Sequence, residues 1–148
     1  MHAITMLTED HKKVRTMLKD GEDTTEQAVK TRTELLAKLA EELRVHETIE
    51  EEIFYPALEE HAKTKDIALE GYEEHHVVDG ILEELDSTPV EDDTWSAKFA
   101  VMKENLEHHI EEEEGEMFKT ARSVFDRDEL ERLGARMSEL KEAAKQLA

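Results

Sequence analysis

Residues 39–57 read LAEELRVHETIEEEIFYPA, and the spacing of the apolar residues in this stretch indicates the fold class. Apolar side chains return every three or four residues, which is the period of an amphipathic α-helix. Two polar residues, His46 and Glu50, occupy positions on this apolar seam where aliphatic side chains would be expected. Burying an imidazole and a carboxylate on one helix face is unfavourable unless both have partners.

Three other stretches show a similar seam, and each has a histidine on it. We predict helices over residues 3–20, 25–60, 66–86 and 94–122, with Pro56 kinking or ending the second one. The seam histidines are His11, His46, His75 and His109. Such helices pack their seams inward in an all-α four-helix bundle. We expect an additional C-terminal helix over residues 128–147, which has no seam histidine, either to cover the bundle or to make a homodimer contact.

Length and composition limit the function classes. At 148 residues the chain fits a single domain, residues 1–148, with the bundle spanning about 3–122. The absence of cysteine excludes disulfides, iron–sulfur clusters and thiolate zinc sites. A net charge of −20 argues against binding to nucleic acid or to anionic membranes. The first ten residues show no secretory signal, so we expect a cytoplasmic protein.

A weak internal repeat connects the four helices. The segment Glu9-Asp10-His11 resembles Glu73-Glu74-His75, and His46-x-x-x-Glu50 resembles His109-x-x-x-Glu113. The two histidines of each half are 35 and 34 residues apart. Two helical hairpins related by a pseudo-twofold axis would bring two similar half-sites together, which is how a dinuclear metal centre is commonly arranged.

Each motif is weak by itself, because 39 of 148 residues are acidic and a lone buried histidine is usually a hydrogen-bonded core residue. Four seam histidines with two seam glutamates would be unfavourable in one core without a cation. Glu112 and Glu114 compete with Glu113 as the fourth-helix carboxylate. The repeat favours Glu113, because an aromatic residue (Tyr55 or Phe118) then follows each histidine by nine positions.

Four further histidines are expected to lie outside the centre. His76 and His108 lie about 100° round their helices from the seam, and we expect His108 to be solvated or to support the centre from outside. His2 and His61 are near helix ends, where side chains are usually exposed.

The order and spacing of these motifs resemble the hemerythrin-like domains, also called HHE cation-binding domains, from about Ile4 to Arg122. The resemblance implies an up-down-up-down bundle with a non-haem di-iron centre. It also implies a set of metal ligands in which four histidines are terminal and two glutamates bridge the irons: His11, His46, His75, His109, Glu50 and Glu113. Oxygen-carrying hemerythrins have a fifth histidine where this chain has Asp79, and this difference argues against reversible dioxygen transport.

The residue types alone suit two iron ions, with zinc or manganese as alternatives. The first hypothesis is a di-iron protein that binds, senses or reacts with dioxygen, nitric oxide, peroxide or iron. The second is an enzyme on the same site that degrades peroxide or acts as an oxidase. The third is a structural or interaction bundle stapled by zinc. Tyr55 could support the site or undergo redox chemistry, but its expected role is packing.

Overall fold

The structure is a computed structural model that describes residues 1–147, and all regular secondary structure within this range is helical. Seven α-helices follow one another along the chain, and two π-helical turns each join one α-helix directly to the next. The α-helices are α1 (Ala3–Glu22), α2 (Val29–Ile49), α3 (Tyr55–Glu59), α4 (Ala62–Asp86), α5 (Asp93–Glu112), α6 (Phe118–Val124) and α7 (Arg127–Gln146). The π-helical turns are Glu50–Phe54, between α2 and α3, and Glu113–Met117, between α5 and α6.

Four helical arms form the bundle: α1, α2 with α3, α4, and α5 with α6. α1 packs between the second and fourth arms, and α4 packs between the same two arms on the opposite side. The predicted four-helix bundle with an additional C-terminal helix is therefore confirmed.

Two predicted helix starts differ from the structure. The second arm begins at Val29 rather than 25, whereas its end at Glu59 agrees with the predicted 60; Pro56 does not end the arm, and a wider π-helical turn lies just before this proline. α4 begins at Ala62 rather than 66, because the break before it takes up only Glu60 and His61.

No threonine caps the second or the fourth arm. α2 begins at Val29 without a side-chain cap, and Thr24 instead accepts a hydrogen bond from Arg32 (2.9 Å). The cap of α5 is Asp92, whose carboxylate accepts from the backbone N–H of Thr94 (2.8 Å).

The core consists of two apolar clusters with a polar layer between them. One cluster lies towards the α3 end of the bundle and includes Leu7, Phe54 and Phe118. The other lies towards the opposite end, near the starts of α2 and α5, and includes Leu39 and Trp95. The seam histidines and glutamates occupy the layer between the clusters, so packed apolar side chains lie on both sides of the polar groups and exclude water from them.

α7 covers one side of the bundle, against α1 and α2. Its start is fixed by reciprocal hydrogen bonds between Asp126 and Glu129, a capping box. Gly134 lies in contact with the backbone of residues 1–3, where a Cβ atom would have no room. Further along, Lys141 forms an ion pair with the buried Asp10. In the part of the chain described, none of these helices is both long and apolar enough to cross a membrane.

Candidate metal centre

All six predicted site residues meet in the polar layer. Each is at most 4% exposed, and together they are His11, His46, Glu50, His75, His109 and Glu113. They form two groups of four whose ligand atoms lie within 4.8 Å of one another. One group contains His11 and His46, the other contains His75 and His109, and both contain the same two glutamates. This sharing of two carboxylates by two pairs of imidazoles is the arrangement of a dinuclear site.

Each histidine of the layer has a carboxylate on its outward nitrogen. The Nδ1 contacts are His11–Glu114 (2.7 Å), His46–Asp10 (2.9 Å), His75–Glu51 (2.7 Å) and His109–Glu74 (2.6 Å). A carboxylate accepts from Nδ1–H, which leaves Nε2 as the metal-binding nitrogen, and Nε2 of His11 and His75 lies 3.0 Å from Glu113 and Glu50 respectively. The outer carboxylates therefore orient all four imidazoles for metal ligation.

The outer carboxylates also follow the pseudo-twofold repeat. Asp10 and Glu74 each precede a site histidine, whereas Glu51 and Glu114 each follow a shared glutamate. Each reaches across a helix–helix contact to a histidine of the neighbouring arm. The two half-sites are thus built from the same contacts in the same order along the chain.

Several polar atoms inside the layer have no hydrogen-bond partner among the described residues. These buried atoms are Nε2 of His46, Nε2 of His109 and Oε2 of Glu50. Each of these nitrogens lies 3.2 Å from a glutamate oxygen on its own arm, but not in hydrogen-bond geometry. Because buried polar atoms are rarely left unpaired, this donor set fits metal ions between the two glutamates.

The pKa shifts in the layer arise from the close approach of carboxylates and imidazoles. Burial alone would lower the pKa of the imidazoles, but the surrounding carboxylates raise it well above its usual range for His46, to about 9 for His75 and to about 11 for His109. Burial would raise the pKa of Glu113, but the imidazoles, His109 foremost, lower it well below its usual range. Protons therefore supply positive charge here when metal does not.

A π-helical turn begins at each shared glutamate, at Glu50 and at Glu113. A π-helical turn closes with an i→i+5 hydrogen bond, so residue i+5 lies above residue i rather than round the helix from it. Residue i+5 is Tyr55 in the first half and Phe118 in the second. The Tyr55 ring lies against the His75 ring (centroids 5.4 Å apart), and the Phe118 ring stacks on His11 (6.0 Å).

The Tyr55 hydroxyl lies in the polar layer, and the equivalent residue of the second half, Phe118, has no hydroxyl. The hydroxyl donates a hydrogen bond to Glu113, and its oxygen lies 3.3 Å from Glu50 Oε1 and 3.4 Å from His75 Nε2. Burial and the two carboxylates raise the pKa of Tyr55 well above its usual range. Gly71 leaves the space for this ring, since a Cβ there would lie 2.6 Å from Tyr55 Cζ. Tyr55 is thus part of the centre.

A small enclosed cavity of about 10 Å³ adjoins the four histidines. Apolar side chains form most of the remaining wall: Val14, Leu43, Leu106 and Ile110. The wall also contains the carboxylate residue Glu47, which is 9% exposed. Burial raises the pKa of Glu47 to about 8, with the nearby His75 acting against this rise and the facing Asp79 carboxylate adding to it.

The residues that competed for a place in the centre lie outside it. Glu114 binds His11 from outside. Glu112 lies 3.0 Å from Nε2 of the exposed His108. Asp79 is exposed and belongs to neither group of four ligands, so it does not replace a fifth histidine there.

The remaining histidines also lie outside the polar layer. His76 is exposed and His61 is half-buried. His2 is half-buried at the start of α1, where it accepts a weak hydrogen bond from the Thr5 backbone N–H (3.4 Å).

The sequence interpretation missed the four outer carboxylates, Glu47, and the contact of the Tyr55 hydroxyl with both shared glutamates. The repeat contained a signal for the outer carboxylates, because an acidic residue adjoins each seam position in both halves. An adjacent residue lies about 100° round a helix, so its side chain is expected to point away from the site. These side chains instead meet the histidine of the next arm.

Comparisons with known proteins agree with this geometry. No curated protein matches the chain. The crystal structure of a hemerythrin HHE cation binding domain-containing protein, the Rv2633c homolog from Mycobacterium kansasii, superposes with a TM-score of 0.87 at 26% sequence identity, covering 99% of this chain and 88% of that one. The sequence profile of the hemerythrin HHE cation binding domain matches residues 2–121. The chain therefore belongs to the hemerythrin HHE cation-binding domain family.

Proposed function

We propose that the chain is a non-haem di-iron protein whose centre binds and reacts with dioxygen, nitric oxide or peroxide. The observation that carries this proposal is the sharing of Glu50 and Glu113 by two pairs of buried imidazoles. His11 and His46 would hold one metal ion, and His75 and His109 the other. The family is a cation-binding one, which supports the presence of metal but leaves its identity to the donor set.

Iron is the metal that we favour for this donor set. Two imidazoles per metal and two shared carboxylates form a mixed nitrogen and oxygen environment that suits iron, manganese or zinc. The Tyr55 hydroxyl adds a further oxygen within 3.4 Å of His75 Nε2 and Glu50 Oε1. When bound, a pair of iron ions supplies Lewis acidity, as zinc also does. Iron ions additionally supply one-electron redox chemistry, which zinc does not.

The size of the cavity beside the histidines limits the ligand. At about 10 Å³ it has room for about one water-sized molecule, so an organic substrate does not fit without rearrangement. Its apolar wall suits a neutral diatomic molecule or hydrogen peroxide rather than an ion. The protein supplies two polar groups nearby, the Tyr55 hydroxyl in the centre and the Glu47 carboxylate in the cavity wall. Either can hold a proton beside a bound ligand.

Peroxide decomposition is the second candidate function, and these two proton-holding groups favour it. The reaction converts two molecules of hydrogen peroxide into two of water and one of dioxygen, and it needs no other reductant. It requires protons to be moved between oxygen atoms in a site closed to bulk water. The buried layer, with Tyr55 and Glu47 beside it, offers such a site.

Metal analysis with a visible spectrum of the purified protein tests the proposed function. We expect about two iron ions per chain and the colour of a di-iron(III) centre. The matched control replaces His11 and His75 by leucine, which removes one imidazole from each half-site. A colourless protein with zinc in place of iron would instead support the third hypothesis, a structural site. Dioxygen evolution from hydrogen peroxide by the loaded protein then distinguishes turnover from binding alone.

A further inference from the structure

Glu47 is a mostly buried carboxylate that accepts no hydrogen bond from the residues described. It is 9% exposed, and within residues 1–147 no side chain or backbone group donates a hydrogen bond to it or forms an ion pair with it. The group that faces it is the carboxylate of Asp79 on α4, another acceptor. Two facing carboxylates, of which Glu47 is mostly buried and Asp79 exposed, are stabilised by a positive charge or a shared proton between them.

Packing does not require a carboxylate at this position. Glu47 follows His46 directly, and Ile110 follows His109 in the equivalent place of the repeat. Both residues line the same small cavity, and Ile110 is 2% exposed. The second half of the bundle therefore fills this place with an aliphatic side chain, whereas the first half uses an acid.

On its outer side Glu47 belongs to an acidic groove between α2 and α4. Glu51 and Asp79 line this groove with it, and the exposed Glu52 and Glu83 lie at its rim. Ligand atoms of Glu47, Glu51 and His75 lie within 4.8 Å of one another. The one basic residue in the lining, Arg44, already binds Glu41 (2.7 Å) and the carbonyl of Ala144 (2.9 Å).

Glu47 and Leu43 line both the acidic groove and the inner cavity. Another acidic groove, between α4 and α5, shares no lining residue with the cavity. Of these two surfaces, the groove at Glu47 is the one that adjoins the interior of the centre. A carboxylate common to an acidic surface and a cavity lined by imidazoles connects the two environments that a metal ion must pass between.

We propose that Glu47, Glu51 and Asp79 form a transit site for a divalent cation, through which metal reaches the dinuclear centre. The inference rests on the proposed function, since it assumes that the centre holds metal. Carboxylate oxygens bind hard divalent cations without demanding one geometry, so they suit a site that must also release the ion. The imidazoles inside offer nitrogen ligands, which hold transition metals more strongly.

The test measures the rate at which metal-free, full-length protein takes up Co²⁺. The ion acquires visible absorption when imidazoles and carboxylates bind it, so stopped-flow spectrophotometry follows its arrival in the centre. The test variants are Glu47→Gln and Asp79→Asn. The matched control is Glu73→Gln, which removes the same charge from the α4–α5 groove. Circular dichroism confirms that each variant folds, and Asp79→Asn, an exposed substitution, is sufficient if Glu47→Gln does not fold.

We expect all variants to reach two Co²⁺ per chain, with uptake about tenfold slower in Glu47→Gln and Asp79→Asn and nearly unchanged in Glu73→Gln. Equal rates in all proteins would overturn the transit site and leave the proposed function intact. Equal slowing by Glu73→Gln would also overturn it, because the overall charge would then explain the rates. A lower final Co²⁺ content in Glu47→Gln would make Glu47 a resident ligand instead. Failure of the wild-type protein to bind Co²⁺ would refute the proposed function itself.

Discussion

Replacing Gly71 by alanine tests whether the position of Tyr55 matters to the centre. A Cβ at residue 71 would lie 2.6 Å from Tyr55 Cζ and 2.8 Å from the hydroxyl oxygen. These separations are shorter than Cβ atoms tolerate, and Tyr55 is fully buried between α4 and the polar layer. The ring must therefore move, and its hydroxyl must leave its place between the two shared glutamates.

The expected magnitude follows from two opposing effects. Overpacking a buried site costs about 1–3 kcal/mol, whereas replacing a helical glycine by alanine gains about 0.8–1.0 kcal/mol. The free energy of unfolding of Gly71→Ala should thus fall by about 0–2 kcal/mol. Gly80, also in α4, has no neighbouring atom within 4 Å of its added Cβ, so Gly80→Ala should gain the full helical contribution. The two variants should differ by about 1–3 kcal/mol, or about 2–12 °C in melting temperature.

Thermal melts of the two variants, monitored by circular dichroism, measure this difference, and visible spectra of the iron-loaded proteins report on the centre. Gly71→Ala should change the spectrum, because the Tyr55 hydroxyl has moved, and Gly80→Ala should leave it as in the wild type. Equal shifts in melting temperature, in the same direction, would show that Tyr55 does not need the space at Gly71. An unchanged spectrum in a destabilised Gly71→Ala variant would remove Tyr55 from the centre.

Four further predictions concern the metal ligands. Replacing Glu50 or Glu113 by alanine should remove at least one of the two metal ions per chain, measured by metal analysis, and unchanged content in both variants would show that other carboxylates bridge. Metal at 100 times its dissociation constant should stabilise the fold by about 2.7 kcal/mol for each ion bound, less in the variant with His11 and His75 replaced by leucine; identical melts of loaded and metal-free wild-type protein would contradict a metal site. Metal binding near pH 7 should release about three protons from the three imidazoles with raised pKa, which calorimetry in buffers of different ionisation enthalpy detects. Without metal, the stabilisation from these imidazoles is complete below about pH 6.5 and should be lost as the pH rises through about 9 for His75 and about 11 for His109, whereas the loaded protein should lose metal in mild acid.

The sequence predicted the bundle and the convergence of the six site residues because both depend on helical periodicity. Seam positions face inward in any packing of these helices, so His11 and His75 could be placed before the neighbouring arms were known. The choice of Glu113 over Glu112 and Glu114 needed the internal repeat as well. Such a repeat carries information about a site because two equivalent halves must satisfy the same geometry.

The π-helical turns could not be predicted in the same way. A π-helical turn depends on the tertiary contacts that hold it, and local sequence does not mark it. Its consequence is large, since it moves Tyr55 from the packing surface of the arm to a place above Glu50. The aromatic at the equivalent position of both halves was visible in the sequence, but a helix of 3.6 residues per turn would have directed it elsewhere.

Close to the centre, three departures from the pseudo-twofold repeat make the two half-sites chemically different. Tyr55 has a hydroxyl where Phe118 has none, and Glu47 has a carboxylate where the equivalent residue is aliphatic.

The third difference is that Lys141 pairs with Asp10, so the carboxylate behind His46 is buried and held by a cation. Burial would raise the pKa of Asp10, but His46 and Lys141 lower it to about 2. The equivalent carboxylate behind His109 is half-buried beside Glu112 instead. The scaffold would therefore hold two metal ions in similar donor sets but unequal surroundings, so the two ions of the proposed centre would not be chemically equivalent.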